Sequence, residues 1–361
     1  MIELNDLQAQ YLSIKGEIDT AIEDVIYHSA FVGGYAVKRF EENFAAYVGA
    51  QYCVGVGNGT DALEIILTAL AITESGVIMP AMTAAPTVEA VVRTGNFPIF
   101  CDVDANCTLD LDQVHSYLRG HNVGAILPVH LYGTAVDMPQ LCALAEPYSI
   151  PIIEDCAQAH GTRWQGQHVG TFGAVGAFSF YPSKNLGAWG DGGAIVTNNE
   201  HVALRCRALA NHGRLDKFGH ELVGRNSRLD GLQAAILAVK LQHLDDWIAR
   251  RREVAARYDE YFGGYIPQWN VARHSYHQYP VLVKERSRVQ AILKERGVRT
   301  GLHYPFILPD LPPYRDYANG VYPNAQLLST TELSLPVHEM LTNGEVDMVI
   351  AAVWMAIDES L

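Results

Sequence analysis

Lys184 stands in the run Ala177-Phe-Ser-Phe-Tyr-Pro-Ser-Lys-Asn-Leu-Gly-Ala-Trp-Gly-Asp-Gly-Gly-Ala194, after an apolar stretch and before a glycine-rich turn, with no other basic residue in it. An amine so placed can lose solvent, fall in pKa and attack an aldehyde to form an imine. The plain alternative is a solvated loop lysine. A second cluster, Pro151-Ile-Ile-Glu-Asp-Cys-Ala-Gln-Ala-His-Gly161, ends an apolar run in two carboxylates. Asp155 at the end of a buried strand could keep a pyridine nitrogen protonated, the state in which such a ring accepts electrons from a forming carbanion; it could equally cap the next helix. A third, Gly55-Val-Gly-Asn-Gly-Thr-Asp-Ala-Leu63, passes from a strand through glycines into a helix. Free amides at a helix start attract an anion and glycine lets a phosphate come close, although a glycine turn capped by Thr60 has the same spelling.

These groups need a scaffold that brings strand ends together. From residue 52 the chain alternates short apolar runs with segments of helical period, the rhythm of an α/β domain. Strands are expected at Tyr52–Val56, Gly76–Pro80, Pro98–Val103, Gly124–His130, Ser149–Glu154, Ala177–Phe180 and Ala194–Thr197. Several are apolar throughout, as strands covered on both faces should be. Helices are expected at Thr60–Leu70, Thr87–Thr94, Leu111–Arg119 and Met138–Tyr148. The fold class is thus α/β, a central mostly parallel seven-stranded sheet with helices on both faces. Past Gly224 a long helix begins near Arg228, with Leu237, Leu241, Leu244 and Ile248 on one face. A strand-like Tyr276–Val283, a helix at Arg286–Gly297, a proline-rich loop from Pro305 to Pro313 and a last helix from Asn343 complete a smaller C-terminal α+β domain. The boundary falls near residue 240, giving a large domain at 1–240 and a small one at 241–361.

With 49% apolar and 18% charged residues, the 361-residue chain has the makings of a buried-core enzyme. A net charge of −14 disfavours nucleic acid as a partner, so any anionic ligand must be gripped locally. The six cysteines have neither zinc-finger nor disulfide-framework spacing, so no metal is expected. No signal peptide or membrane-length apolar run is visible, which makes the cytosol the expected compartment.

In their order, the phosphate seat, ring carboxylate and imine lysine, with the Ser179 hydroxyl, match the needs of one cofactor, pyridoxal 5′-phosphate (PLP). The chain also resembles the DegT/DnrJ/EryC1/StrS sugar aminotransferases. GNGTDAL, EDCAQAHG, SFYPSKNLG, GDGGAIVT, the stretch Asn226-Ser-Arg-Leu-Asp-Gly-Leu-Gln-Ala-Ala235, LHYP around His303 and LSLPVH near the end carry that resemblance over nearly the whole chain. It implies the fold type I of PLP-dependent transferases, with Lys184 as the cofactor-bearing lysine and proton carrier and Asp155 on the pyridine nitrogen. It further implies Gln158 near the ring's phenolic oxygen, and Gly59, Thr60 and Ser179 on the phosphate. Asn226 resembles a residue that reaches the phosphate of the other subunit, implying a homodimer with shared active sites; His303 would contact substrate. The implied reaction moves an amine from an amino acid, by family habit glutamate, to a nucleotide-linked keto sugar. Family members that are dehydratases have histidine where this chain has Lys184.

The turn after Lys184 is more like that of members acting on 3-keto sugars than the threonine-rich turn of 4-keto members. Two positions depart from the pattern: Ala84 stands where an aromatic commonly covers the ring, and Pro309 where a second histidine often follows His303. Other readings keep the fold and change the role: an aminotransferase or aromatising enzyme acting on a cyclitol or other carbocyclic ketone, or a regulator without turnover.

Overall fold

The computed structural model describes residues 1–120, 122–214, 219–267 and 271–360. Three helices open the chain, α1 (Leu7–Ser13), α2 (Lys15–Tyr27) and α3 (Gly34–Val48). The alternating core follows: β1 (Tyr52–Val56), α4 (Gly59–Ala69), β2 (Gly76–Pro80), α5 (Ala85–Arg93), β3 (Phe97–Cys101), α6 (Leu111–Gly120), β4 (Val123–Ile126), α7 (Met138–Ala145), β5 (Ile153–Asp155), a hairpin of β6 (Arg163–Trp164) and β7 (Gln167–His168), β8 (Val175–Ser179), β9 (Gly193–Thr197) and α8 (Glu200–Ala210). Then come α9 (Gly231–Phe262), β10 (Tyr279–Leu282), α10 (Arg286–Glu295), α11 (Pro323–Thr331), β11 (Glu332–Leu335) and α12 (Asn343–Ser360).

The hydrogen-bonded strands form a four-stranded sheet, β1-β9-β8-β5, and a three-stranded one, β3-β2-β4. Only single bridges, Ile126 to Ile152 and Val129 to Asp155, link β4 to the β5 segment. The pairs β2–β3, β2–β4 and β5–β8 are parallel, whereas β9 runs antiparallel to both β1 and β8. The register therefore sets Val56 and Ser179 opposite Gly193, and Asp155 opposite Ala177. One edge of the sheet gathers the carboxyl ends of β1, β8 and β5, where open α/β sheets place their ligands.

The strands lie where the apolar runs predict, with ends moved by a few residues. The predicted 124–130 strand forms a continuous ladder only over Val123–Ile126, and 149–154 only over Ile153–Asp155; beyond those spans the two segments meet through the single bridges Ile126 to Ile152 and Val129 to Asp155. The hairpin at 163–168 carried no apolar alternation to betray it. Its turn at Gln165 and Gly166 has both residues at positive φ, the twist that tight hairpins favour. The helices α1 to α3 precede the alternating pattern; α3 buries Phe40, Phe44 and Val48 against the sheet cluster around Phe178 and Phe180.

At 32 residues, α9 is about 48 Å long. Its first half, through Ala234, Leu237, Leu241 and Leu244, packs into the cluster around Phe178 and Phe180. Its second half, through Val254, Ala255, Tyr258 and Phe262, joins a separate cluster with β10, β11, α10 and α12. Among the described residues no helix is long and apolar enough to cross a membrane.

Candidate active site

A cavity of about 310 Å³ opens at the carboxyl edge of the four-stranded sheet. Asn58, Gly59 and Thr60 line it from the start of α4, Ala84, Pro86 and Thr87 from the start of α5, Asp155 and Ala157 from the end of β5, and Ser179, Tyr181, Lys184 and Asp191 from the β8–β9 connection. Residues drawn from four separate stretches of sequence thus meet in one place.

Burial lowers the Lys184 amine to about 8, against a partial upward pull from the Asp155 carboxylate. The pKa falls because the charged ammonium loses water that the walls do not replace. An amine near 8 has an appreciable neutral fraction at physiological pH, the form that attacks a carbonyl. The loop is held from behind: the Lys184 amide donates to the Tyr181 carbonyl, and buried Lys240 of α9 donates to the Gly187 carbonyl at 2.7 Å.

Asp155 is 4% exposed. Burial raises its carboxyl pKa, while hydrogen bonds from the Ala157 amide at 3.0 Å and the Thr87 hydroxyl at 2.9 Å, with the Lys184 amine, pull it back. These bonds also fix the carboxylate's orientation. Its neighbour does a different job. Glu154 takes the amides of Gly170, Phe172 and Gly173 at 2.7, 2.8 and 2.7 Å, together with His130 Nε2 at 3.1 Å. His130 Nδ1 accepts from the Val136 amide, so Nε2 is the protonated nitrogen and donates to Glu154. His130, Glu154 and Cys156 lie close enough to suggest a metal cluster, but the carboxylate and imidazole are already committed to these bonds. Glu154→Gln is expected to set an amide NH₂ against two or more N–H donors and cost about 3 kcal/mol; a fall in the urea midpoint at unchanged slope checks this.

At the phosphate seat, Asn58 caps α4 by accepting from the Asp61 amide at 2.8 Å, which leaves the first helical amides turned toward the cavity. Gly59 is required by contact rather than by φ: a Cβ there would lie 2.8 Å from the Ser179 Cβ. The α4 start and the β8 end thus touch backbone to side chain, forming a cradle that any larger residue would fill. Gly59→Ala should displace Ser179 and weaken phosphate binding about tenfold, measured by PLP titration of the apoprotein.

Three predicted residues lie outside this lining. Gln158 is buried; its carbonyl accepts from the Tyr132 amide at 2.6 Å and its amide donates to the Tyr304 hydroxyl at 3.0 Å. His303 is held by its backbone between Glu332 and Tyr132 and by Nδ1 against Ser334. Burial chiefly, and then the Lys184 amine, depress His303 to about 4. Asn226 is exposed, on a segment fastened to α4 by its neighbour Arg225, which ion-pairs with Asp61 at 2.9 Å and also with Glu64. Thr87 was not foreseen as a partner of Asp155: it is 68 residues distant, and a threonine early in a helix carries no sequence signal of what it faces. Tyr181, Asp191 and the Ala157 amide were likewise unforeseen, although all lie within the quoted clusters.

The DegT/DnrJ/EryC1/StrS aminotransferase family model matches residues 12–354. The chain is 40% identical to the UDP-2-acetamido-2-deoxy-3-oxo-D-glucuronate aminotransferase of Pseudomonas aeruginosa, over 98% of this chain and 99% of that protein. It is 38% identical to a pleiotropic regulatory protein of Geobacillus stearothermophilus, over 97% and 96%. Among solved structures, S. venezuelae DesV in complex with a ketimine intermediate superposes with a TM-score of 0.95 at 38% identity, each chain covered to 98%. With its motifs, its fold and a match running almost end to end, the chain belongs to the DegT/DnrJ/EryC1/StrS aminotransferase family.

Proposed function

We propose that this aminotransferase carries PLP covalently on Lys184 and moves an amino group from an amino acid, glutamate by family habit, to a 3-keto sugar, a deoxyhexose, borne on a nucleotide. The observation that carries the reading is the convergence on one cavity of a depressed lysine amine, a buried carboxylate and the free start of α4. The cavity fits the group: the cradle between Gly59 and Ser179 suits a phosphate, Asp155 suits a protonated ring nitrogen, and Ala84 with Pro86 leaves an apolar wall where family members commonly have an aromatic. When bound, PLP supplies an electron sink for carbanion chemistry.

In this reading the chain's residues do the following. The amides of Gly59 and Thr60 and the Ser179 hydroxyl hold the phosphate. Asp155, oriented by Thr87 and Ala157, holds a proton on the ring nitrogen by keeping a full negative charge beside it. With PLP bound, Lys184 would be the group that moves a proton between the amino donor's α-carbon and the cofactor's exocyclic carbon, and an amine lowered to about 8 suits both taking up and giving back that proton. Gln158, expected near the phenolic oxygen of a bound ring, holds Tyr304 and the 131–133 turn in place.

We further infer a homodimer in which Asn226 serves the partner's phosphate site. Its exposure, on a segment braced by Arg225, supports this, as do the exposed apolar residues Ile26, Tyr27, Phe31, Val32 and Tyr35 near the N-terminus. The division into domains at 1–240 and 241–361 is supported by the separate cluster that receives the second half of α9. Cytosolic location remains the expectation from composition.

The 3-keto assignment draws support from the turn after Lys184 and from the 3-oxo substrate named for the P. aeruginosa relative. The test is a pair of half-reactions: glutamate should bleach the visible band, and a nucleotide-linked 3-keto sugar should restore it where a 4-keto isomer or a cyclitol ketone does not. Restoration by a cyclitol ketone alone would shift the function to carbocyclic substrates. The name of the G. stearothermophilus relative favours a second reading, a regulator. A protein that stays colourless with added PLP would favour it; the intact Lys184 and Asp155 pair argues the other way.

A further inference from the structure

A polar chain that the transamination chemistry leaves unused runs from Glu332 and Ser334 of β11 through His303 to Gln278 and His277, just before β10. Glu332, at the start of β11, has no exposure. One of its carboxylate oxygens accepts the backbone amide of His303 at 2.6 Å and the other accepts the Ser334 hydroxyl at 2.5 Å. The same Ser334 oxygen lies 2.8 Å from His303 Nδ1. At the far side of the ring, His303 Nε2 is 3.4 Å from the Gln278 amide nitrogen, which also lies 3.5 Å from His277 Nε2.

A serine hydroxyl has one proton to give. With Glu332 ionised, that proton goes to the carboxylate, so the oxygen can only accept from the ring and His303 must be protonated on Nδ1. Nε2 is then a bare acceptor, which the Gln278 amide faces only at the outer limit of a hydrogen bond, at 3.4 Å, while lying as near to His277 Nε2 at 3.5 Å. If Glu332 gains a proton, the oxygen facing the His303 amide must remain an acceptor, so the proton sits on the oxygen facing Ser334. The hydroxyl turns, donates to Nδ1, and leaves the ring proton on Nε2. One proton on a carboxyl beyond direct reach of Nε2 inverts the polarity of that nitrogen.

We propose that Glu332 is a positioning residue which, acting through Ser334, fixes His303 with a bare Nε2 and so sets it to accept a hydrogen bond from a hydroxyl of the acceptor sugar. This rests on the reading of His303 as a substrate contact in a PLP aminotransferase. The link to the site is structural: the residue after His303, Tyr304, receives the Gln158 amide, and the Lys184 amine is close enough to depress the His303 ring.

The surroundings make the exchange responsive near neutral pH. Burial raises the Glu332 carboxyl to about 7 against the pull of Ser334, the His303 amide and Arg286. The Arg286 guanidinium spends its hydrogen bonds on the carbonyls of Ser329 and Glu332 rather than on the carboxylate. The other titratable groups that feel the Glu332 charge, Cys107, Tyr132 and Tyr304, are all pushed upward, chiefly by burial, and stay neutral. His303 itself, held near 4, remains uncharged throughout, so the change is one of tautomer and not of charge. Above about 7 Glu332 is ionised and Nε2 is bare; below it Nε2 carries the proton.

Glu332→Gln separates the two states. The His303 amide demands the glutamine carbonyl, which turns the side-chain NH₂ toward Ser334 and holds the ring protonated on Nε2 at every pH. The experiment is ¹⁵N NMR of the ring nitrogens in histidine-labelled holoenzyme from pH 5.5 to 8.5, with His303→Asn to assign the signals, alongside kinetics with a nucleotide-linked 3-keto sugar. The wild type should be Nδ1-protonated at pH 8 and cross over near 7, whereas Glu332→Gln should be Nε2-protonated throughout with acceptor KM raised about tenfold and kcat changed less. Ser334→Ala, which breaks the relay while keeping the Glu332 carboxyl in the chain, should lose the crossover. An identical tautomer in wild type and Glu332→Gln at pH 8, or a crossover that survives Ser334→Ala, overturns the positioning role; an unchanged KM with a reversed tautomer overturns its use in recognition. Failure of the underlying aminotransferase reading would register separately, as a wild type with no visible band.

Discussion

Lys184→Ala is expected to remove both the covalent attachment of PLP and the transfer of the amine. The residue has two tasks in the proposed chemistry, and an alanine can do neither. Loss of a positioned acid and base alone costs about 10²- to 10⁴-fold, and loss of the nucleophile that loads the cofactor adds to it, so turnover should fall below detection. The fold should survive. Removing a desolvated amine relieves a burial cost, and the 181–192 turn stays pinned by the Tyr181 and Gly187 carbonyl bonds. The check is a native-like thermal transition together with absence of the visible band. The same amine sets a pH trend in the wild type: below about 8 it is mostly protonated and cannot attack, so the rate at which the apoprotein takes up PLP should climb as pH rises and level off above that value.

Asp155→Asn is expected to give the second largest loss, of a different kind. Asparagine matches the carboxylate in shape, can keep the Ala157 bond, and can donate to Thr87. What it lacks is the charge that keeps a proton on the ring nitrogen. Because burial already disfavours that charge, the neutral variant should fold at least as well as the wild type. The visible band should remain, since Lys184 is intact, while kcat drops about 10²- to 10³-fold, the scale of removing one electrostatic stabiliser from a transition state. Single-turnover rates of the glutamate half-reaction separate this from weaker cofactor binding, which would be rescued by excess PLP.

Much of this architecture could be read from residue order. Strands such as Gly76–Pro80 are apolar because both faces are covered, and apolar runs broken by turns make such strands visible. Gly59, Lys184 and Asp155 were legible because Asp155 ends a strand and the other two follow one within a few residues, each with a distinctive neighbour. What stayed hidden depends on contacts between distant segments. Thr87 meets Asp155 only because α5 starts at the same sheet edge as β5 ends. Glu154 and Asp155 look alike in the sequence, yet adjacent strand residues point to opposite faces, so one binds the 170–173 backbone and the other faces the cavity. Glu332 lies in a run of alternating strand residues and shows its partner only when β11 is laid beside the His303 segment. The helices α1 to α3 were unclaimed because amphipathic periodicity alone does not say what surface will bury it.

The most direct measurement of the central claim is borohydride reduction of the holoprotein followed by proteolysis and mass spectrometry. The account predicts a single reduced pyridoxyl phosphate on the peptide containing Lys184. A label on any other lysine, or none on a protein that has taken up PLP, would contradict it.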